Sequence, residues 1–251
     1  MKSDSNLIMP LAIFFASIIA AYILGNAIMR FKNEDRYIAV KGFSEKEVKA
    51  DLVIWTIKIK MADNDLVQGN ADLAQAKAKV INFLTNKGIK TNEITSKDIM
   101  VIDNEANENF GNHVIRVRYI IEETVEVRSN NVDLVQGISR MTSELLNAGV
   151  ALSTKNDWQG SGLRYIFTKL SDIKPTMIVE AINNAEKAAT EFAKESNTSL
   201  GKLRRASQGL FSIQDRDESL AGGGEGGGYD SGTSQLFKKV REVISADYSL
   251  D

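Results

Sequence analysis

The chain has 251 residues, 43% hydrophobic and 25% charged, with a formal net charge of −2 at pH 7. Its cations are interspersed with acids, so it lacks both the basic stripe of a nucleic-acid binder and the acidic tail that would suit a cationic partner. The absence of cysteine excludes disulfides, thiolate nucleophiles and cysteine-ligated metals, and a single histidine, His113, excludes multi-histidine metal sites.

A short tail, residues 1–6, precedes a run from Leu7 to Met29 that contains no charged residue. Its 23 residues, if helical, rise about 34 Å at ~1.5 Å each, enough to cross a hydrocarbon core of roughly 30 Å. Residues 7–29 therefore read as an uncleaved, single-pass transmembrane anchor. A cleaved signal peptide is the competing reading. It would have a shorter apolar core, and the best cleavage candidate, Gly25-Asn26-Ala27, falls near the far end of the run. Residues 30–36 form a juxtamembrane linker in which Arg30, Lys32 and Arg36 are partly offset by Glu34 and Asp35. Counted against Lys2, these cations lean toward a cytoplasmic domain.

A domain spanning 37–251 follows. A strand reaches Val40, and Val53, Trp55, Ile57, Ile59 and Met61 alternate with polar residues as a second strand, with Gly42 between them suggesting a hairpin. Asp63, Asn64 and Asp65 are N-cap candidates for a helix whose stripe is Val67, Ala71, Ala74, Ala78, Ile81 and Leu84. Gly88 followed by Ile89 ends it in the manner of a left-handed C-cap. A strand over 93–102 leads through a polar hairpin loop, 103–112, to a long return strand. There His113, Ile115, Val117, Tyr119, Ile121, Val125 and Val127 share one parity. Glu123 interrupts that apolar face, and a bulge turning it outward is the expected resolution.

The next helix carries the stripe Val135, Ile138, Met141, Leu145 and Ala148 and ends at Gly149-Val150. Its Asp133-Leu134-Val135-Gln136-Gly137 repeats Asp65-Leu66-Val67-Gln68-Gly69, which suggests two strand–helix units of similar design. A strand at 162–170 has Leu163, Tyr165 and Phe167 on one face. A long alanine-rich helix, about 172–196, follows, with Pro175 in its first turn and the stripe Ile178, Ile182, Ala185, Ala189 and Phe192. Leu203 to Ile213 reads as a strand. Residues 221–232 form a flexible glycine-rich loop without the Lys-Ser/Thr ending of a phosphate cradle. A final strand carries Val240, Ile244, Ala246, Tyr248 and Leu250, and could complete this chain's sheet or a neighbour's.

No residue earns a catalytic, cofactor-binding or metal-binding role from this pattern. His113 sits beside a polar hairpin with no nucleophile motif, and Asp103, Glu105 and Glu108 lack calcium-loop spacing. Asn197-Thr198-Ser199 matches a glycosylation sequon, relevant only in a eukaryotic secretory pathway. Trp55 and Trp158 read as core or rim aromatics.

The order of elements resembles the SIMPL domain family, which includes periplasmic immunogenic proteins of Gram-negative bacteria. The likeness is carried by VKGFSEKEVKADLVIWTIKI (40–59), NKGIKTNEITSKDI (86–99), RYIIEETVEVRSNNVDLVQGI (118–138) and the block from Arg164 to Leu203. In that last block an aromatic strand, an alanine-rich helix and a Leu-Gly-Lys exit match the family in order. The resemblance implies an α/β (α+β) domain with a mixed sheet and packed helices, exported and prone to form homo-oligomers. It implies no catalytic residues and no cofactor. It also points the domain outward, against the charge count, and that orientation is adopted here. The expected protein is a non-enzymatic, periplasm-facing factor of the inner membrane that assembles with its own copies as an envelope scaffold or stress-related factor. The alternative is a membrane-tethered module that binds a solute or lipid.

Overall fold

The computed structural model describes residues 13–25, 36–106, 117–153, 162–217 and 235–250. In chain order these are helix α1 (13–25), β1 (Tyr37–Lys49), β2 (Leu52–Asp63), α2 (Leu66–Asn86), a 3-10 turn (Thr91–Glu93), β3 (Ile94–Ser96) and β4 (Met100–Asp103). Then come β5 (Tyr119–Ser129), α3 (Val132–Ser139), α4 (Ser143–Asn147), β6 (Leu163–Ile166), α5 (Leu170–Glu195), β7 (Leu200–Gln208), β8 (Ser212–Asp215) and β9 (Phe237–Leu250). The class is α+β. In place of one mixed sheet there are two antiparallel sheets, and the chain divides into two compact units. Of the expected anchor, α1 is helical with an exposed apolar surface throughout, but no helix among the described residues is long and apolar enough to cross a membrane. The glycine-rich stretch, Trp158 and His113 lie outside the described residues.

One unit comprises Glu47–Asp172 and Ile213–Val240. Its sheet has the order β3-β5-β2-β6, with β4 also pairing β5. The β2–β5 register runs unbroken from Val53 opposite Ser129 to Asp63 opposite Tyr119. Period two places Val53, Ile57, Ile59, Ile121, Val125 and Val127 on one buried face, as the alternation required. Helix α2 starts where Asp65 accepts hydrogen bonds from the Val67 and Gln68 amides, at 2.8 and 3.2 Å, satisfying two of the first-turn donors. It ends as expected at Gly88 (φ +100°), with the Ile89 amide donating to Leu84 O and Ile89 buried beyond it. Gly149 (φ +78°) and Val150 close α4 in the same way.

The face that α2 buries differs from the expected one. Gly69, Leu73, Ala76, Val80 and Leu84 face the core, whereas Val67 is 79% exposed and Ala71, Ala74 and Ala78 are exposed. The two sets are displaced by two residues, about 200° around a helix, and share only Leu84. The helix turns its larger side chains, Leu73, Val80 and Leu84, to the sheet and lies close at Gly69. A Cβ on Gly69 would come within 2.9 Å of Ile121 Cδ1. Abundant alanine makes both faces equally apolar in a pattern, and burial of the larger side chains, each worth about 1.5–3 kcal/mol, decides between them.

Glu123 also contradicts the expectation. The strand does not bulge to expel it. Glu123 stays on the core face, 3% exposed, and pairs with Lys77 of α2 at 2.7 Å. The irregularity lies on the opposite edge, where Ser96 faces Val125 and Met100 faces Glu122, so residues 97–99 oppose only residues 123–124. That interruption also splits the single strand expected over 93–102 into β3 and β4. The second expected helix likewise divides into α3 and α4, leaving Met141 42% exposed. Its cap is Asn131, and Asp133 lies in the first turn, paired with Lys49 at 2.7 Å. The repeated pentapeptide thus sits two positions deeper in α3 than in α2, where its aspartate is the cap. Two strand–helix units exist, but the echo is not a structural repeat.

The other unit comprises Met1–Lys46, Ile173–Ser212 and Arg241–Asp251. The expected β1–β2 hairpin does not form, because β1 runs straight through Gly42 and joins the other sheet, ordered β1-β9-β7 with β8 also on β9. Gly42 serves packing, not a turn. A Cβ there would lie 2.0 Å from Ala181 O and 2.5 Å from Ala185 N of α5. Helix α5 buries Met177, Ala181, Ala185, Ala189 and Ala193, a row at strict four-residue spacing. Phe192 and Ile182 of the expected stripe are 56% and 37% exposed. Small residues bring backbone to backbone, so this contact selects alanine over the bulkier neighbours. Since α5 begins at Leu170, Pro175 lies inside the helix, not in its first turn. The expected strand from Leu203 to Ile213 is β7 and β8 separated at 209–211, and β9 is an inner strand of its own chain's sheet.

Candidate functional site

The acids singled out by sequence are held in ion pairs. Lys77 Nζ holds Glu123 inside the core. Arg118 binds Asp103 at 3.2 Å and Glu105 at 3.0 Å, and its hydrogen bond lowers the Asp103 carboxyl below its ordinary range. Glu108 and His113 are outside the described residues. Among the described residues no group of three or more His, Cys, Asp or Glu could hold a metal ion. Trp55 is a core residue, 5% exposed.

An open cleft of ≈ 610 Å³ lies in the unit built on β2 and β5, lined by Gln136 of α3, Leu163 and Tyr165 of β6, and Arg216, Gln235 and Phe237 from the segments flanking residues 218–234. Period two in β6 buries Tyr165 to 4% exposure. Burial pushes the Tyr165 phenol up, opposed by its hydrogen bond with Gln136 and the charge of Arg140, so at neutral pH it is a protonated donor. Arg216 stacks over the Phe237 ring at 5.3 Å and is held by Glu47 at 3.3 Å and Asp217 at 3.1 Å, which raise its pKa and neutralise its charge.

Next in sequence to the lining residues Arg216 and Phe237, Asp215 and Lys238 form a buried ion pair, and the Gln235 backbone amide donates to the second Asp215 oxygen at 3.1 Å. This pair ties β8 to β9 and so positions Arg216 and Phe237. Among the described residues the lining offers a phenol, two carboxamides, the Asp217 carboxylate and apolar surface, with Arg216 neutralised by Asp217 and Glu47. Such a surface suits an uncharged, partly apolar molecule, and its described residues include no paired nucleophile and base. Of these residues, sequence reading had placed only Leu163 and Tyr165 on a common face. Arg216 and Gln235 lie on either side of residues 218–234, so no short spacing could reveal their proximity.

No curated protein matches the chain. The SIMPL family model, described as "Protein of unknown function (DUF541)", matches residues 38–235, from the start of β1 to the threshold of β9. With most of its length inside that match, the chain belongs to the SIMPL family.

Proposed function

We propose that the chain is a non-enzymatic protein anchored in the inner membrane by residues 7–29, with its SIMPL domain in the periplasm, where copies assemble as an envelope scaffold. The observation that carries the reading is α1. Ile13, Phe14, Phe15, Ile18, Ile19, Tyr22, Ile23 and Leu24 are each 50–71% exposed, an apolar surface on every side that water would not tolerate in isolation. The pairing of Glu123, Asp103 and Asp215 with cations supports a structural use of these acids over a catalytic one.

The support for assembly differs from that expected of the last strand. Since β9 is satisfied within its own sheet, β4, which among the described residues pairs with β5 alone, is the better interface. Met100 and Val101, with the preceding Ile99, are 46–52% exposed there. Alkaline carbonate extraction of bacterial membranes tests the anchor, which requires retention of the full chain. An impermeant maleimide tests the side, which requires labelling of Asn33→Cys in cells with an intact inner membrane. Sedimentation of the full chain in detergent tests assembly. An oligomer dispersed by Met100→Lys supports β4 as the interface, and a monomeric wild-type chain removes the scaffold.

The cleft favours a second reading, a membrane-tethered binding module for an uncharged solute or lipid tail. Thermal-shift screening of the full chain against such compounds, with Tyr165→Phe for comparison, tests it. A hit that the variant leaves unchanged would place binding elsewhere.

A further inference from the structure

The unit built on α5 buries a carboxyl beside its most weakly held strand. Period two puts Glu242, Ile244, Ala246 and Tyr248 on the buried face of β9. Glu242 is 0% exposed, and among the described residues neither of its oxygens meets hydrogen-bond geometry with a partner. Gln208, the last residue of β7, lies opposite Ile244 and so shares that face, two residues along from Glu242. Burial pushes the Glu242 carboxyl up, opposed by the Gln208 side chain and the charge of Lys174 on α5. The other charges around it are engaged elsewhere. Glu180 of α5 accepts from the Ser44 hydroxyl of β1 at 2.8 Å, and Glu186 acts on the Tyr248 phenol. Arg241, next on β9, alternates to the exposed side and meets Glu45 at 3.5 Å. Of β8 this unit holds only Ser212, and Asp215, its one acid, is paired with Lys238 in the other unit.

Strand β7 buries little. Every residue from Lys202 to Gln208 is exposed, and its pairing with β9 slips twice, between Leu200 and Leu203 and between Leu203 and Arg205. At the corner that follows, the Gly209 amide donates to Val243 O at 2.9 Å and Lys174 lies 5.4 Å from the Phe211 centroid, while Leu210 is 94% exposed. We infer that Glu242 is a pH latch on β7: with its proton the carboxyl lets β7 and the Gly209–Phe211 corner lie on β9, and on losing it the charge gains water by detaching them. Detachment frees the backbone edge of β9 from Ile244 to Leu250. A carboxylate without a partner is the costliest group to keep dry, and the element with the least buried surface gives way first. In the detached state the carboxyl stands in water and titrates near 4.5, whereas the closed state holds its proton to higher pH. The opening constant is therefore level below about 4.5, rises about tenfold per pH unit above it, and levels off once the closed-state carboxyl titrates.

Hydrogen exchange of the full chain in detergent, read by mass spectrometry over a pH series with exchange times scaled to the intrinsic rate, measures that constant peptide by peptide. The expected result is a loss of protection with rising pH in peptides from residues 200–212. Glu242→Gln should keep those peptides protected across the series, and β2 and β5 should keep their protection in both proteins. Far-UV circular dichroism checks that the variant is folded, and Glu242→Leu, equally unable to ionise, replaces it if it is not. A wild-type response that is level with pH overturns the proposal. So does a loss of protection that persists in the uncharged variant, or one that β2 and β5 share.

Discussion

Gly42→Ala is the most informative substitution in the β1–α5 unit. The added methyl would sit 2.0 Å from Ala181 O, 2.5 Å from Ala185 N and 2.8 Å from Ala185 Cβ. Two of these atoms are backbone, so no rotamer change relieves the overlap. Restoring an ordinary 3.4 Å contact requires α5 to withdraw by about 1.4 Å. The row it would lift away is Met177 with four alanines, whose methyls are too short to follow. Overpacking costs about 1–3 kcal/mol in general, and an overlap with backbone belongs at the upper end, about 3 kcal/mol. At ~2–4 °C per kcal/mol for a chain of this size, the melting midpoint falls by roughly 6–12 °C. Gly137→Ala is the matched control. Among the described residues nothing lies within 4 Å of its Cβ position, and it is interior to α3, so a gain of about 0.5–1 kcal/mol is expected. Thermal and urea unfolding of the full chain in detergent, followed by far-UV circular dichroism, measures both. A Gly42→Ala midpoint within the error of wild type would refute the close β1–α5 contact.

Lys77→Met strands Glu123 in the core without its partner, and a loss of about 3 kcal/mol is expected, at the low end for a broken buried pair because Lys77 is itself 31% exposed. Adding Glu123→Leu should recover most of it by urea denaturation, and failure to recover would mean the pair has a role beyond neutralising one buried charge. Glu242 is fully buried, and among the described residues neither of its oxygens meets hydrogen-bond geometry with a partner; burial pushes its carboxyl up from 4.5, opposed by the nearby Gln208 side chain and the charge of Lys174. The folded state therefore keeps the proton to higher pH than the unfolded chain, and stability falls as pH rises from about 4.5 through the folded-state titration. Glu242→Gln should stabilise by about 1–3 kcal/mol at neutral pH and by little below the unfolded pKa. A gain independent of pH would show that the carboxylate charge is not the cause. Asp65→Ala removes the cap of α2 and should cost about 1 kcal/mol, whereas Asp133→Ala, which caps nothing, should cost less despite its identical local sequence.

The sequence by itself determined part of what depends on neighbours along the chain. It narrows the cap of α2 to Asp63, Asn64 and Asp65, of which Asp65 serves, Gly88 and Gly149 end helices in left-handed turns, and the alternation of β2 and β5 is the alternation of buried and exposed side chains. These signals are complete within a few residues, since they arise from backbone sterics and local hydrogen bonds. Tertiary structure decided which of two apolar helix faces is buried, which strands share a sheet, and where a charge inside the core finds its partner. Leu73 and Val80 prevailed over Val67 and Ala71 because the sheet offers room for larger side chains, a fact absent from the periodicity of an alanine-rich helix. Glu123 stayed inside because Lys77, 46 residues earlier, reaches it across the α2–β5 contact. The cleft belongs to the same class, since Tyr165, Gln136 and Arg216 meet only after their strands and helix have packed. Gly42, which reads as a turn, became a point of backbone contact because α5 passes over it, and no pattern within β1 records that passage.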